Sequence, residues 1–181
     1  MIKFIPLIVL VFLASGCAMK MTSYSPSILM EGEGRVTVRD FKYLPSDDGK
    51  LKSNQVDTGF GLNALYSENK IKDYVSDALS KELKFIGYKL DPQSSLLISG
   101  NIAEYSFDYI GLRNVDAKVN IEFIITSIVD GKSEEVYRKN HQGFYTASKW
   151  TSMEFTLMMN EALRNCIKSF IVDTQAKKIL G

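Results

Sequence analysis

The sequence contains few of the residues on which enzymes most often depend for chemistry. It has one histidine, His141, and two cysteines, Cys17 and Cys166. A zinc site needs several His or Cys ligands at set spacing, and a serine-type triad needs a histidine beside a nucleophile. Neither arrangement is marked in the sequence, nor is a nucleophile elbow or a dinucleotide fingerprint. The sequence therefore predicts no catalytic residue, no metal site and no cofactor, and we expect that the protein is not an enzyme.

An excess of charge of one sign is also missing. The chain has 22 basic and 21 acidic residues, and removal of residues 1–16 would take away only Lys3, leaving 21 of each. Nucleic-acid-binding domains typically carry a clear basic excess. We therefore expect no nucleic-acid partner.

The apolar run at the N-terminus is too short to cross a bilayer as a helix. Phe4–Leu13 has roughly ten residues, whereas a spanning helix needs about 20. Lys3 precedes the run, and the small residues Ala14-Ser15-Gly16 and then Cys17 follow it. This order is typical of a secretory signal peptide, and the cysteine after small residues resembles the bacterial lipobox.

The resemblance to a lipobox implies a lipoprotein. Residues 1–16 would be the signal peptide, and Cys17 would be diacylated on sulfur, become the first mature residue and be N-acylated. Two or more acyl chains anchor a protein stably to a membrane. No Asp follows Cys17, which by resemblance favours the periplasmic leaflet of the outer membrane. The alternatives are a secreted protein whose cysteine falls near the cleavage site, and an uncleaved N-terminal anchor.

The mature chain predicts a single domain behind a tether. Residues 17–34 show no clear period and contain Ser, Pro and Gly, so we assign them to the lipidated cysteine and a tether. Part of this tether, Ile28-Leu29-Met30, is apolar and could dock on the domain. Residues 35–181 are long enough for one α+β domain. Cys166 lies on an apolar stripe and is expected to be a small core residue.

Hydrophobic periodicity predicts the elements of this domain. Four segments alternate apolar and polar residues as strands do: 35–43, 96–109, 115–129 and 134–145. Two segments carry apolar stripes at helical spacing: Ser67–Leu83, capped by Ser67, and Thr151 to about Asp173, opened by a capping box. A change of phase near Ala103 predicts a bulge, and Asp130-Gly131 predicts a hairpin turn.

The order of these elements is strand, helix, three-strand meander, helix. Clean alternation in the meander is typical of antiparallel strands with one solvated face. Two amphipathic helices can cover the other face. The sequence therefore predicts an α+β fold, a mostly antiparallel sheet with two amphipathic helices packed on one face as a two-layer sandwich.

Three aromatic residues alternate at strand spacing near the end of the second long strand: Tyr105, Phe107 and Tyr109. One interpretation places them in the core or against a helix. The other makes them an apolar contact surface for a partner or a lipid. The sequence alone leaves both interpretations open.

Several stretches resemble one family of envelope proteins. They are LASGC, GRVTVRDF, KIKDYVSDALSKELKFIGYKL, LLISGNIAEYSFDY, the meander from Val115 to Tyr145, and MEFTLMMNEALRNCIKSFIVD. Together they resemble YajG-type lipoproteins, small envelope proteins of Gram-negative bacteria with poorly defined function. The order is more distantly similar to lipoproteins that serve as subunits or activators of envelope machines, such as curli secretion and peptidoglycan synthase activation. The resemblance implies no catalytic residues.

We therefore expect a lipid-anchored, non-enzymatic periplasmic protein that binds or helps to assemble another envelope component. Its partners would be the membrane, through the acyl chains on Cys17, and an envelope protein. One alternative is an accessory for handling lipid or lipopolysaccharide, which would hold an acyl chain between helices and sheet. A cryptic envelope hydrolase is the other alternative.

Overall fold

The structure, a computed structural model, describes residues 21, 23–58, 65–110, 114–148 and 152–181, without the side chains of 109, 110 and 152–154. The elements within these ranges are β1 (Arg35–Tyr43), α1 (Leu44–Asp47), β2 (Gln55–Val56), β3 (Leu65–Tyr66), α2 (Ile71–Phe85), β4 (Lys89–Leu90), β5 (Leu96–Ile110), β6 (Asn114–Val129), β7 (Lys132–Ala147), α3 (Ser152–Ile171) and α4 (Thr174–Leu180). The predicted strand, helix, meander and helix are β1, α2, β5–β7 and α3, so the predicted order is confirmed.

The main sheet is mixed, so the prediction of a mostly antiparallel sheet is only partly confirmed. Its strand order is β4-β1-β5-β6-β7. β1 runs parallel to both β4 and β5, whereas β5, β6 and β7 are mutually antiparallel neighbours. The reason is the crossover through α2, which returns the chain to the starting end of β1 before β4 and β5 begin. Strands β2 and β3 form a separate two-stranded sheet.

The meander of β5, β6 and β7 contains the two irregularities that the sequence predicts. The register of β5 against β6 shifts between Ile102 and Glu104, which confirms the bulge near Ala103. Asp130 and Gly131 have φ values of 52° and 74°, which a two-residue hairpin turn between twisted strands requires. The turn sets the register in which β6 presents one face to the helices.

The core lies between that face of the sheet and the two long helices. Every second residue of β6 from Val115 to Ile125 is buried, and the apolar stripes of α2 and α3 cover them. The stripe residues of both helices are at most 1% exposed: Ile71, Val75, Ala78, Leu79 and Leu83 in α2, and Phe155, Met159, Ala162, Leu163, Cys166, Ile167 and Phe170 in α3. The predicted stripes, and the core position of Cys166, are confirmed.

The helix ends differ from the prediction. Helix α2 begins at Ile71, and Lys70 holds its N-cap position, because Ser67 is buried and its hydroxyl instead accepts a bond from the Asn69 amide at 3.3 Å. Helix α3 ends at Ile171. A further helix, α4, then follows, with the Asp173 carboxylate accepting from two amides of its first turn. With α1, the described residues form four helices rather than two, and the predicted capping box at Thr151 lies outside the described residues.

Candidate functional site

The chain before β1 lies against both long helices. We call its described residues, Met21 and 23–34, the N-terminal segment. Tyr24 reaches α2 through Glu82 and α3 through Arg164, whose guanidinium stacks on the tyrosine ring at 5.6 Å. Met21, Tyr24 and Ile28 are 7%, 2% and 3% exposed. The N-terminal segment therefore occupies the groove between α2 and α3.

Glu82 is the residue that holds the N-terminal segment. Its side chain is 0% exposed, and its Oε1 accepts a hydrogen bond from the Tyr24 hydroxyl at 2.6 Å. The backbone amides of Ser27 and Ile28 donate to the same carboxylate at 3.2 and 3.1 Å. Burial of a carboxylate is costly unless its oxygens accept hydrogen bonds and a cation lies near. The N-terminal segment supplies the donors, and the Arg164 guanidinium, 3.9 Å away, supplies the charge.

Side chains of both helices also bind carbonyl oxygens of the N-terminal segment. Arg164 Nη2 donates to the Ser25 carbonyl at 3.1 Å, and Arg164 Nη1 is paired with Glu161 on the same helix. From α2, Lys81 Nζ donates to the Tyr24 carbonyl at 3.3 Å. The backbone of the N-terminal segment is thus bound at its amides by one acidic side chain and at its carbonyls by two basic ones.

The later part of the N-terminal segment is bound by backbone alone. The Gly32 amide donates to the Ile86 carbonyl at 2.7 Å, and the Lys89 amide donates to the Gly34 carbonyl at 3.0 Å. A Cβ atom at Gly32 would lie 2.2 Å from the Tyr88 ring, so a larger residue there would have to displace that ring. The N-terminal segment is therefore fixed from Tyr24 to the start of β1.

The interpretation of Tyr105 and Phe107 as an exposed contact surface is wrong. Their side chains are 0% and 1% exposed, because β5 turns this face toward α3, where Phe107 packs on the Phe155 ring at 4.6 Å. The alternative core interpretation is confirmed for these two residues. The side chain of Tyr109 and the whole of Cys17 lie outside the described residues.

Tyr105 belongs to a buried group of tyrosines beneath the N-terminal segment. Burial raises the pKa of Tyr105 well above its ordinary value, and the neighbouring Tyr74, Tyr43 and Tyr24 add to the increase. Tyr74 donates to the Asn160 amide oxygen of α3 at 2.5 Å, and burial raises its pKa to about 12. These hydroxyls stay protonated at physiological pH and serve as neutral hydrogen-bonding groups. The Tyr105 hydroxyl has no hydrogen-bond partner among the described residues.

The single histidine lies on the inner face of β7, under α3. His141 is 5% exposed, its Nε2 contacts the Tyr137 hydroxyl at 2.6 Å, and its Nδ1 contacts the Ser169 hydroxyl at 2.9 Å. Burial lowers the pKa of His141, outweighing Asp173, so the ring is neutral. Burial raises the pKa of Tyr137 to about 12. Both ring nitrogens of His141 are engaged inside the core, as expected for a structural histidine on a sheet face.

No group of three or more His, Cys, Asp or Glu residues in the described part of the chain could hold a metal ion. Of the described helices, none has the length and apolar character needed to cross a bilayer.

Sequence reasoning missed the role of Glu82, although a signal for it exists. Glu82 falls on the apolar stripe of α2, between Leu79 and Leu83, at a spacing that points its side chain inward. A charged residue at an inward position needs a partner. The sequence does not say that the partner is the N-terminal segment, since the residues in contact are more than 50 positions apart.

The structure, compared with known proteins, matches others in fold. Protein XCC0632 from Xanthomonas campestris, of family model DUF330, matches with a TM-score of 0.67 and 10% identity, over 88% of this chain and 95% of that chain. An uncharacterized protein matches at 0.60 and 10%, over 90% and 99%. The hypothetical protein CT253 from Chlamydia trachomatis matches at 0.54 and 10%, over 81% and 98%. At such low identity, these matches show a shared fold alone.

At the level of sequence, no protein-family model and no curated protein matches the chain. The resemblance to YajG-type lipoproteins is not confirmed and stays a prediction. The fold is shared with poorly characterised bacterial proteins.

Proposed function

We propose that the protein is a lipid-anchored, non-enzymatic lipoprotein on the periplasmic face of the outer membrane, where it binds or helps to assemble another envelope component. The observation that carries this proposal is Cys17 directly after an apolar run and Ala14-Ser15-Gly16. Acyl chains on this cysteine would hold a folded domain at a membrane without a spanning helix. The bound N-terminal segment supports the proposal, because it fixes the chain that leads from Cys17 to the domain.

The outer face of the sheet is the surface that we assign to a protein partner. It carries a network of charged and polar side chains in which Glu122 accepts from Asn101 at 2.7 Å and from Arg138 at 2.8 Å. Arg138 also binds Glu135 at 2.6 Å and lowers the pKa of that carboxyl. Phe144 lies on the same face, six residues beyond Arg138 along β7 and opposite Lys118 of β6, and is 52% exposed. An exposed aromatic side chain on a polar face is typical of a protein contact surface.

Replacement of the lipidated cysteine tests the anchor. We expect Cys17→Ser to move the protein from the membrane fraction to the soluble periplasmic fraction, and mass spectrometry of the wild-type N-terminal peptide to show a triacylated Cys17. The matched control is Cys166→Ser, which changes a thiol that is 0% exposed and leaves the anchor intact. A membrane-bound Cys17→Ser protein, or an unmodified Cys17 in the wild type, would contradict the lipid anchor.

Photocrosslinking in cells tests the partner. A photoreactive amino acid in place of Phe144 should give a discrete product of higher mass. The same group in place of Val172, which is 47% exposed in the helix layer, serves as the control. If Phe144 gives no product in any growth phase, or only the products that Val172 gives, the sheet face is not the partner surface.

A cleft at the edge of the groove favours the second candidate function, handling of lipid or lipopolysaccharide. The cleft has a volume of about 420 Å³ and is lined by Ile28, Leu29, Met30, Glu31 and Phe85, with Leu29 89% exposed. The described residues between helices and sheet are buried apolar side chains of the core, and we place an acyl chain in this cleft instead. Native mass spectrometry of the detergent-free domain should then show bound lipid that Leu29→Asp removes. A lipid-free wild-type domain would exclude this version.

A further inference from the structure

Helix α2 begins at the end of the domain where β1 finishes. The amide of Ile71, its first residue, donates to the Ser53 carbonyl at 2.9 Å, in the stretch that follows β1 and α1. The last turn of α2 leads into β4, which pairs with Arg35 and Val36 at the beginning of β1. Helix α2 therefore runs antiparallel to β1.

Helix α3 begins at the same end. Asn165 of α3 donates to the Phe144 carbonyl, and the later α3 residue Ser169 contacts the earlier strand residue His141 at 2.9 Å. Successive positions along α3 thus meet earlier positions of β7, so α3 runs antiparallel to β7. Because two antiparallel pairings separate β7 from β5, β7 runs parallel to β5 and β1. We call the end where both long helices begin the helix-start end.

Followed from β1 back toward its first described residue, the N-terminal segment approaches the helix-start end. Its residue Gly32 is bound at Ile86, beyond the last turn of α2, and Tyr24 is bound at Glu82, one turn earlier in the helix. From Gly32 to Tyr24, toward the N-terminus, the segment therefore moves toward the N-terminus of α2 as well. Met21, three residues before Tyr24, is still 7% exposed. The first described residues of the N-terminal segment thus lie on the helix-start side of its later residues.

The remaining chain is short compared with the domain. Four peptide units separate Met21 from Cys17, a reach of at most about 14 Å. Strand β7 has 16 residues and is about 50 Å long. An anchor with this reach cannot let the domain tumble freely above a membrane.

We infer that the N-terminal segment acts as a strut, which holds the helix-start end of the domain against the leaflet that carries the acyl chains. The lipid surface is the partner, and the Asp130-Gly131 turn at the opposite end points into the periplasm. This inference rests on the proposed anchor at Cys17.

The charges near the start of α2 do not provide an alternative cause of this orientation. Lys70 and Lys72 lie between Glu68 and Asp73 along the chain. A surface of mixed charge is attracted only weakly to anionic lipid. The orientation should therefore be insensitive to salt.

Energy transfer to a labelled membrane tests the strut. The lipidated protein, purified from membranes, is reconstituted into phosphatidylethanolamine and phosphatidylglycerol vesicles that contain an acceptor lipid. A donor dye is attached at Asn69→Cys, at the helix-start end, or at Glu134→Cys, roughly 25 Å away along the strands. Cys166 stays unlabelled, since burial raises the pKa of its thiol to about 12. We expect several-fold more transfer from position 69 than from position 134, at low and high salt alike.

Two further variants separate the strut from the anchor. Glu82→Gln weakens the hydrogen bonds that hold the N-terminal segment. It should reduce the difference in energy transfer between positions 69 and 134. Twelve Gly/Ser residues inserted between Ala18 and Met19 leave the contacts of Glu82 with the N-terminal segment unchanged. This variant should therefore fold normally even if Glu82→Gln does not. The insertion adds on the order of 20 Å of flexible spacing and should abolish most of the difference in energy transfer between positions 69 and 134.

The outcomes distinguish the strut from the proposed function. Greater transfer from position 69, lost on insertion, supports the strut. Anchored protein with equal transfer from both positions, or with greater transfer from position 134, overturns the strut and leaves the lipid anchor standing. Protein that does not remain with the vesicles overturns both.

Discussion

Two buried polar clusters differ in what they connect. The Glu82 cluster joins the N-terminal segment to α2 and α3 through a carboxylate, a guanidinium and a tyrosine hydroxyl. The His141 cluster joins β7 to α3 through a neutral imidazole and two hydroxyls. The first cluster therefore holds a segment that lies outside the sheet and helices, whereas the second lies within the packed layers.

The chemistry of each cluster suits the region that it holds. A charged acceptor forms stronger hydrogen bonds than a neutral one, and it regains hydration when its partners leave. The Glu82 cluster can thus release the N-terminal segment without loss of the core. The His141 cluster has no such route, because Phe123 and Phe170 pack around the imidazole ring. The comparison predicts local effects for changes at the first cluster and global effects near the second.

The largest effect is expected where α3 lies directly on β7. A Cβ atom at Gly143 would lie 2.0 Å from the Ala162 carbonyl oxygen and 2.4 Å from the Cys166 amide nitrogen. These are backbone atoms of a helix, so Gly143→Ala must displace α3 and should cost about 3 kcal/mol or more in the free energy of unfolding. Urea denaturation measures the loss.

Gly131→Ala is the matched control for this prediction. A Cβ at Gly131 meets no atom within 4 Å, and only its positive φ of 74° opposes the change. We expect a cost of about 1 kcal/mol there. If the two variants were equally stable, the close contact between α3 and β7 would not exist in solution.

A smaller and local effect is expected at Glu82. Glu82→Ala leaves the Tyr24 hydroxyl and the Ser27 and Ile28 amides without their acceptor, at a cost of about 2–3 kcal/mol. Since the N-terminal segment can dissociate and become hydrated, we expect fast hydrogen exchange in residues 23–31 while the sheet stays protected. Glu161→Ala, which removes the other carboxylate partner of Arg164, should leave this exchange slow. If hydrogen exchange in the sheet became as fast as in residues 23–31, the effect of Glu82→Ala would not be local.

The strands and helices could be predicted because their patterns are local. Alternation along Val115–Val129 and the stripe of α3 follow from neighbouring residues, and the structure has both. The place of β1 in the sheet is different. A strand that buries one face, such as Arg35–Tyr43, shows the same alternation whether its neighbours run parallel or antiparallel to it. The mixed sheet therefore depends on contacts that no local window contains.

The position of the N-terminal segment in the groove could not be predicted, for a related reason. The segment has no regular buried face. It is held partly by its backbone amides and carbonyls and partly by single side chains, so its sequence shows no periodicity. Tyr24 and Ile28 are buried while Ser23, Ser25 and Leu29 between and beside them are exposed. Its partners Glu82 and Arg164 are 58 and 140 positions from Tyr24. Composition alone therefore suggested a tether, and the bonds that fix the N-terminal segment became visible only in the structure.

Two adjacent residues of the N-terminal segment give a matched pair with a smaller effect. Ile28 is 3% exposed, whereas its neighbour Leu29 is 89% exposed. Ile28→Ala should cost about 2 kcal/mol and loosen residues 23–31, while Leu29→Ala should change stability by less than about 0.5 kcal/mol. Limited proteolysis and urea denaturation measure both. Equal effects of the two substitutions would mean that the segment does not rest in the groove with this face inward.

The smallest expected effect is on the pH dependence of stability, which distinguishes the neutral His141 cluster from the charged Glu82 cluster. Burial lowers the pKa of folded His141, while Asp173 acts to raise it and Lys139 to lower it. A lowered pKa means that the unfolded chain takes up the proton first, so the stability that neutral His141 contributes is present above the unfolded pKa, about 6.5, and declines as pH falls below it.

His141→Gln isolates this contribution, because the carboxylates titrate equally in both proteins. At pH 7.5 we expect the variant to be about 1–2 kcal/mol less stable than the wild type, since the Tyr137 and Ser169 hydroxyls lose their ring partner. As pH falls to 5 the gap between the two unfolding free energies should narrow. A gap that widened instead would mean that Asp173 binds a protonated imidazole and outweighs burial. The His141 cluster would then be charged like the Glu82 cluster, and charge would no longer separate the cluster that holds a segment from the one that holds the core.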